Sequence, residues 1–348
     1  MKAVRIESDG SISVVEVATP TIGSGEALIR MRACGICGSD LLDWYVRGKA
    51  GTVLGHEIVG EVVEVGEDVR GFAAGDRVVP HHHAPCSDCQ ACREDRPVHC
   101  REWRASRLDP GGMAELIRIP AGNLQRDTWK IPPSLSDEEA IWTEPLATVV
   151  KAFSRAGFRA RRSVLVIGLG SAGQLAVRLA RERGARSIVG ADRVSSRLAL
   201  ARDAGAETID VSRETLTQGA QRLSGDAGFD LVFVCPGKAE VLAEASSLTA
   251  PGGTLLMFTM AGAQERLSLP LQELYFREVS VVPSYSCGPS EMKEALDLLV
   301  SRRVSVDDLV THRFPLSQAR QAFARAKEAE GSLKVVLTSS PSPGGRGG

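Results

Sequence analysis

Residues 163–192 read SVLVIGLGSAGQLAVRLARERGARSIVGAD. An apolar run, Val164–Ile167, leads straight into Gly168, Gly170 and Gly173, spaced G-x-G-x-x-G. Behind them Ala172, Leu175, Ala176, Leu179 and Ala180 fall on one helical face. A second apolar run then ends in Asp192, 19 residues after Gly173. Strand, glycine turn, helix, strand and acid in this order predict a dinucleotide-binding unit. The first glycine allows a tight turn, the second lets the backbone approach a pyrophosphate, and the third lets helix and strand pack closely. The helix N-terminus, at Ser171 and Ala172, then offers N–H groups to the phosphates. Asp192 can accept from both ribose hydroxyls and repels a 2′-phosphate, which favours NAD. Arg193 and Arg197 could instead hold that phosphate, which keeps NADP as the second choice. A domain that binds no nucleotide is the bland alternative.

From residue 163 onward, strand candidates alternate with helical segments: SVLVIG, SIVGAD, ETIDV, FDLVFVC, GGTLLMFT and VSVVPSYS. This alternation predicts an α/β fold with a parallel sheet covered by helices. Upstream, residues 1 to about 120 hold short β-prone runs broken by glycine, as in HEIVGEVVEVG, and read as a β-rich domain. A helix is expected to open at Ser136 and run through SDEEAIWTEPLATVVKAFSRAG. After about 288 come two amphipathic helices and a closing strand, SLKVVLT. The tail 339–348, SSPSPGGRGG, is expected to be disordered. No internal repeat is present.

With 348 residues, two domains are the default. A net charge of −1 lacks the basic excess of a general nucleic-acid binder. The N-terminal MKAVRIESDG has no apolar signal region, and no apolar run would span a bilayer. A cytoplasmic, reducing setting is therefore expected, without membrane partners, and there clustered cysteines read as metal ligands.

Cys86, Cys89, Cys92 and Cys100 follow the pattern C-x2-C-x2-C-x7-C. The bacterial iron–sulfur run has its fourth cysteine three residues after the third, followed by proline. Here it lies seven residues on and Arg101 follows, so a closed tetrahedral zinc site with a structural role fits better. His99 could compete as a ligand. His81, His82 and His83 tempt a metal reading, but consecutive side chains diverge on an extended strand, so they read as strand-end residues near a cleft. Cys34 and Cys37 could be a redox pair, although no thioredoxin-like context surrounds them, and Cys34 reads as a partly buried free thiol. Cys235 and Cys287 are expected to be core residues on strands of the parallel sheet.

Three more fragments complete a pattern: CGICGSD at 34–40, GHE at 55–57 and TEPLA at 143–147. Together with the cysteine loop and the glycine fingerprint, the chain resembles a zinc-dependent medium-chain dehydrogenase. Its EPL resembles the sorbitol (polyol) branch, to which threonine dehydrogenase is close. The resemblance covers nearly the whole chain. It implies a Rossmann doubly wound sheet inserted into a GroES-like, β-rich catalytic domain, with the active site in the cleft between them. The corresponding division is 1–150 for the catalytic domain with its zinc lobe at 86–100, 151–290 for the Rossmann domain and 291–338 for the return.

The resemblance further implies that Cys37 and His56 bind a catalytic zinc, that Glu144 lies at the metal directly or through water, and that Glu57 lies beside the ion and can trade places with water or substrate. Such a set of one thiolate, one imidazole and one carboxylate leaves an open position, as a catalytic zinc needs. Two zincs per chain follow. Glu144 could also be no more than an acid in the first turn of a helix. Ser39 is expected to take the substrate proton. Polyol-branch members often carry a histidine two residues after the aspartate of CGSD. Here that position is Leu42, so Asp40, Asp43 or the cofactor ribose would carry the proton onward. Trp44 and Tyr45 shape the substrate wall or simply pack.

The expected function is hydride transfer between a secondary alcohol of polyol, cyclitol or sugar-like type and NAD. Alternatives are a small alcohol dehydrogenase, a threonine dehydrogenase-like enzyme, an NADPH-dependent aldehyde or ketone reductase, and a non-enzymatic structural zinc protein. A homodimer or homotetramer is expected, because VSVVPSYS would leave an uncovered edge strand.

Overall fold

Strands are numbered in chain order as β1 (Lys2–Ile6), β2 (Ile12–Glu16), β3 (Ala27–Gly35), β4 (Glu57–Val65), β5 (Arg77–Pro80), β6 (Leu116–Ile119) and β7 (Thr128–Lys130). β8 (Ser163–Ile167), β9 (Ser187–Asp192), β10 (Glu207–Asp210), β11 (Phe229–Val234), β12 (Thr249–Met257) and β13 (Ser280–Pro283) follow, and then β14 (Val310–Pro315) and β15 (Lys334–Thr338). The computed structural model describes residues 1–339, so the tail expected to be disordered lies, Ser339 apart, outside the described residues. Two units are distinct: one holds Met1–Glu144, Cys287–Ser301 and the chain from Val306, the other Pro145–Ser286 and Arg302–Ser305.

In the second unit all six expected strands form one parallel sheet in the order β10-β9-β8-β11-β12-β13. The order reverses beside β8, the doubly wound arrangement in which ligands bind at the carboxyl ends of the strands. β8 is buried along its whole length, which explains its unbroken apolar sequence. The helix Ser171–Glu182 buries Leu175, Ala176, Leu179 and Ala180, the face read from the spacing. β13 bonds to β12 on one side only and is one of the two edges, β10 being the other.

In the first unit a sheet runs β14-β15-β3-β4-β5-β7, with β6 also beside β3. Its core includes Ile29, Met31, Ile58, Val62, Ile117, Val335 and Leu337. β15 pairs antiparallel with β3, with Val336 opposite Gly35. The first unit is thus built from both ends of the chain. Among the described residues no helix is long and apolar enough to cross a membrane.

Two expectations are corrected. The helix opening at Ser136 is two helices, Asp137–Ala140 and Thr143–Arg155. Ser136 caps the first, accepting from the Glu139 N–H at 3.2 Å while Glu139 accepts from the Ser136 N–H at 2.8 Å. Pro145 sits in the first turn of the second helix, where its missing N–H costs little. Cys287 is buried as expected but lies past β13, in the first unit and not on a strand of the parallel sheet. Cys235 directly follows β11, half-buried, with its thiol pushed up to about 12 by burial and by Asp192.

Candidate functional site

Cys37 leaves β3 through a short 3-10 turn, Gly38–Leu41. The buried Asp40 folds back beneath it. One carboxylate oxygen accepts the Cys37 N–H at 3.2 Å and the other lies 4.0 Å from His56 Nδ1. His56 enters β4 after Gly55, whose φ is +101°. A Cβ at Gly55 would stand 2.6 Å from the Met113 nitrogen, so the approach to His56 tolerates only glycine. The Cys37 thiol, a His56 ring nitrogen and a Glu57 oxygen lie within 4.8 Å of one another. One thiolate, one imidazole and one carboxylate form a donor set that suits a catalytic zinc.

Glu57 has a partner invisible from the sequence. The Lys334 ammonium, on β15, donates to both of its oxygens at 2.7 and 2.6 Å, and both side chains are buried. Lys334 also sits 4.8 Å over the Trp142 ring. Burial alone would lower the Lys334 pKa, but the charge and hydrogen bond of Glu57 together with the charges of Cys37 and Glu144 raise it. Burial likewise works against a charged His56, yet Cys37, Asp40 and Glu144 together raise its pKa well above the ordinary value.

Glu144, in the first turn of the helix Thr143–Arg155, does not join the Cys37 cluster. It groups with His81 and His82, again within 4.8 Å. Burial pushes its carboxyl pKa up. The reading that three consecutive histidines diverge on a strand is corrected: the chain leaves β5 at Pro80 and bends at His82, so two of the three converge. His83 turns away, its Nδ1 lying 3.0 Å from the Ser106 carbonyl oxygen and its ring packing on Trp103 with ring centroids 4.0 Å apart.

Ser39 and Leu42 are half-buried beside Cys37. Of the carboxylates expected to carry a proton onward, Asp40 faces Cys37 and His56, whereas Asp43 is exposed and pairs with Lys327 at 3.2 Å. Trp44 is exposed, and Tyr45 lies under the Lys49 ammonium at 4.0 Å.

The four cysteines of the loop come together, with Cys86, Cys89, Cys92 and Cys100 thiols within 4.8 Å. Cys86 Sγ accepts the Cys89 N–H at 3.2 Å, and Cys100 Sγ accepts the Cys86 N–H at 3.3 Å. For Cys100 the bonds from backbone N–H groups act against burial and bring the thiol down to about 6. His99 is exposed, faces Arg104 and stands outside the cluster. The donor set fits a closed zinc site. The lobe has only a small apolar core, Val98 and Trp103 packed against the cysteines. Cys89→Ser is therefore expected to remove one zinc per chain and open the lobe locally. Limited proteolysis within 86–105 should then quicken roughly tenfold while the sheet stays intact.

In the second unit Gly168 has φ +86°, and a Cβ at Gly173 would stand 2.0 Å from the Gly168 carbonyl oxygen. Gly170 starts the helix Ser171–Glu182 without a side-chain cap. The loop is open there, with only Arg197, at 4.0 Å, near a Cβ built on Gly170. An uncapped helix N-terminus above a close-approach loop fits a pyrophosphate. Asp192 is more engaged than expected. Its oxygens accept the N–H groups of Leu169 at 2.7 Å, Arg193 at 2.7 Å and Val194 at 2.9 Å. Arg197 lies 4.0 Å from it, and Arg193 is exposed.

Comparison with known proteins agrees with both halves. Residues 23–132 match the alcohol dehydrogenase GroES-like domain family, and residues 172–301 match the zinc-binding dehydrogenase family. The chain is 31% identical to an L-threonine 3-dehydrogenase of Burkholderia cenocepacia over 97% of its own length and 99% of the relative. Among solved structures, an alcohol dehydrogenase from Thermus sp. ATN1 superposes with a TM-score of 0.87 at 31% identity, covering 98% of this chain and 100% of that one. A Sinorhizobium meliloti protein described as a zinc-binding dehydrogenase, bound to NADP, also gives 0.87, at 30% identity with 97% and 98% covered.

Proposed function

The chain belongs to the zinc-binding dehydrogenases, oxidoreductases that act on alcohols, and from that premise we propose that it transfers a hydride between a secondary alcohol of polyol, cyclitol or sugar-like type and NAD. The observation that carries the substrate class is the polar wall beside Cys37 and His56, where Asp40, His82 and Glu144 lie. A substrate with several hydroxyls can bond these groups, whereas an alkyl chain leaves them unpaired. The relatives named for threonine support a second reading, an L-threonine dehydrogenase, against which Leu42 stands in the relay position.

Zinc held by Cys37, His56 and a carboxylate, Glu57 directly or Glu144 through water, supplies a Lewis acid that polarises the substrate oxygen. NAD supplies the hydride acceptor. The chain's own groups do the rest. Asp40 Oδ1 lies 4.0 Å from His56 Nδ1 and sets a negative charge beside the imidazole. Lys334 neutralises Glu57 and keeps its carboxylate in place. Ser39 accepts the hydroxyl proton and passes it to water. Gly168, Gly170 and Gly173 with the N–H groups of Ser171 and Ala172 take the pyrophosphate, and Asp192 takes the ribose hydroxyls.

The test is absorbance at the reduced-nicotinamide band with NAD or NADP and a panel of polyols, cyclitols, simple alcohols and threonine. NADH from a polyol or cyclitol supports the reading, and turnover of simple alcohols or threonine alone sinks it. Asp192→Ala should weaken NAD by about 10–100-fold, the worth of hydrogen bonds to a charged group, and weaken NADP far less. Equal losses for both cofactors would leave Asp192 a merely structural acceptor, and an NADP preference in the unmodified protein would hand the phosphate to Arg193 and Arg197.

A homodimer or homotetramer formed through β13 belongs to the same reading. β13 has one neighbour, and Leu271, Tyr275, Phe276 and Tyr285 are exposed near it in sequence. Phe276→Lys is expected to lower the mass measured by light scattering toward that of one chain. An unchanged mass rules that surface out.

A further inference from the structure

We propose that Trp103 is a positioning residue that couples the four-cysteine lobe to the substrate wall beside His56, so that an ordered lobe is needed for tight alcohol binding. Trp103 has two attachments. Its backbone N–H bonds the Cys100 thiol, and its indole is buried against Val98 and the cysteines. The same indole packs on the His83 ring, with centroids 4.0 Å and planes 34° apart. From there the contact continues ring to ring. His82 lies 4.2 Å from His83 and 5.2 Å from His56.

The backbone explains why this contact decides where His82 stands. His81 is the last residue of the run held from the sheet side. Its N–H bonds the Asp127 carbonyl at 2.9 Å, and its Nδ1 lies 2.6 Å from Asp127 Oδ2. Among the described residues, no backbone–backbone hydrogen bond holds His82, His83 or Ala84. The lobe holds them instead. Ser106, which follows the helix Arg101–Ala105, accepts the Ala84 N–H on its hydroxyl at 2.8 Å. Its carbonyl oxygen lies 3.0 Å from His83 Nδ1. A carbonyl only accepts, so Nδ1 carries the proton and the ring is fixed in one tautomer. Arg126 donates to the Pro85 carbonyl and to Glu102, each at 3.1 Å, and ties the end of the run to the same helix. Opening the lobe therefore releases Trp103 and Ser106 together, and with them the ring that supports His82. The part of the proposal that concerns alcohol binding rests on the dehydrogenase reading. The part that concerns the place of His82 does not.

The experiment uses the intact, zinc-loaded protein with [15N]histidine at its six histidines. The His82 ring signal is assigned by its absence in His82→Ala. Cys89→Ser, which opens the lobe, is expected to shift or broaden that signal. It should also raise KM about 3–10-fold, the worth of one stacked ring pair, for whichever alcohol of the panel turns over. Its kcat should change less than about twofold, because uniform binding is what is lost. His83→Ala should do the same while keeping both zincs and the lobe's resistance to proteolysis. His83→Phe, which restores a ring on Trp103, should recover KM. Trp103→Leu should act like His83→Ala, and Trp103→Phe like the unmodified protein. Adding Cys89→Ser to His83→Ala should cost nothing further, since both break one path. A His82 signal unmoved in Cys89→Ser, or additive losses in the double variant, overturns the proposal and leaves the lobe a purely structural element. If no alcohol reduces either cofactor, the substrate reading fails by itself, and the His82 signal alone still decides the coupling.

Discussion

Replacing Cys37 by serine is expected to lower kcat/KM by at least about 10³-fold, because a Lewis acid contributes several kcal/mol to the transition state and each ~1.4 kcal/mol is a factor of ten. The zinc count should fall by one, and the four-cysteine lobe should keep its ion, since its donors lie on a separate loop with its own small core. The fold should survive, because Cys37 is half-exposed at the end of β3 and not part of the packed interior. The pair of readouts matters. Lost activity with an unchanged zinc count would make Cys37 a structural thiol, and retained activity would remove it from the site altogether.

The second large effect is on stability. Lys334→Met is expected to cost about 3–5 kcal/mol in urea unfolding, because it strips the buried Glu57 carboxylate of the ammonium that bonds both of its oxygens. Adding Glu57→Gln should recover most of that loss, since removing both charges is far cheaper than removing one. If the single variant unfolds within about 1 kcal/mol of the unmodified protein, the bond between them is worth no more than a surface ion pair. The Glu57→Gln variant alone should also be costly, as it strands a buried ammonium.

These two residues mark the limits of sequence reading. Cys37 was legible because its neighbours in CGSD carry a pattern, and the glycine fingerprint was legible because strand, turn, helix and acid follow one another directly. Such features are local, and local order survives in a one-dimensional text. Lys334, in contrast, reads as an ordinary lysine in SLKVVLT, and its partner Glu57 lies 277 residues earlier. The buried pairing of His81 with Asp127 is hidden the same way, at a separation of 46. The histidine run was misread because the period-two rule holds only while a strand continues, and this one ends at Pro80. The single long helix was misread because the apolar pattern of Ile141 and Trp142 continues through the break, and Thr143 and Pro145 there were passed over as a restart signal.

The pairing of β3 with β15 has a consequence for how the protein is made. The six strands of the parallel sheet all lie between Ser163 and Pro283, so that unit can close while the chain is still emerging. β3 must wait for a partner that lies about 300 residues downstream, which at roughly 5–20 residues per second is a delay of about 15–60 s. Throughout that interval Glu57 has no Lys334, and the Ala33–Gly35 end of β3, beyond the stretch paired with β6, lacks its β15 partner. The nascent chain therefore passes through a stage in which the nucleotide-binding half is complete and the metal-binding half is a sticky, unneutralised sheet. Chaperone demand during synthesis should fall on the first 144 residues, not on the part made last.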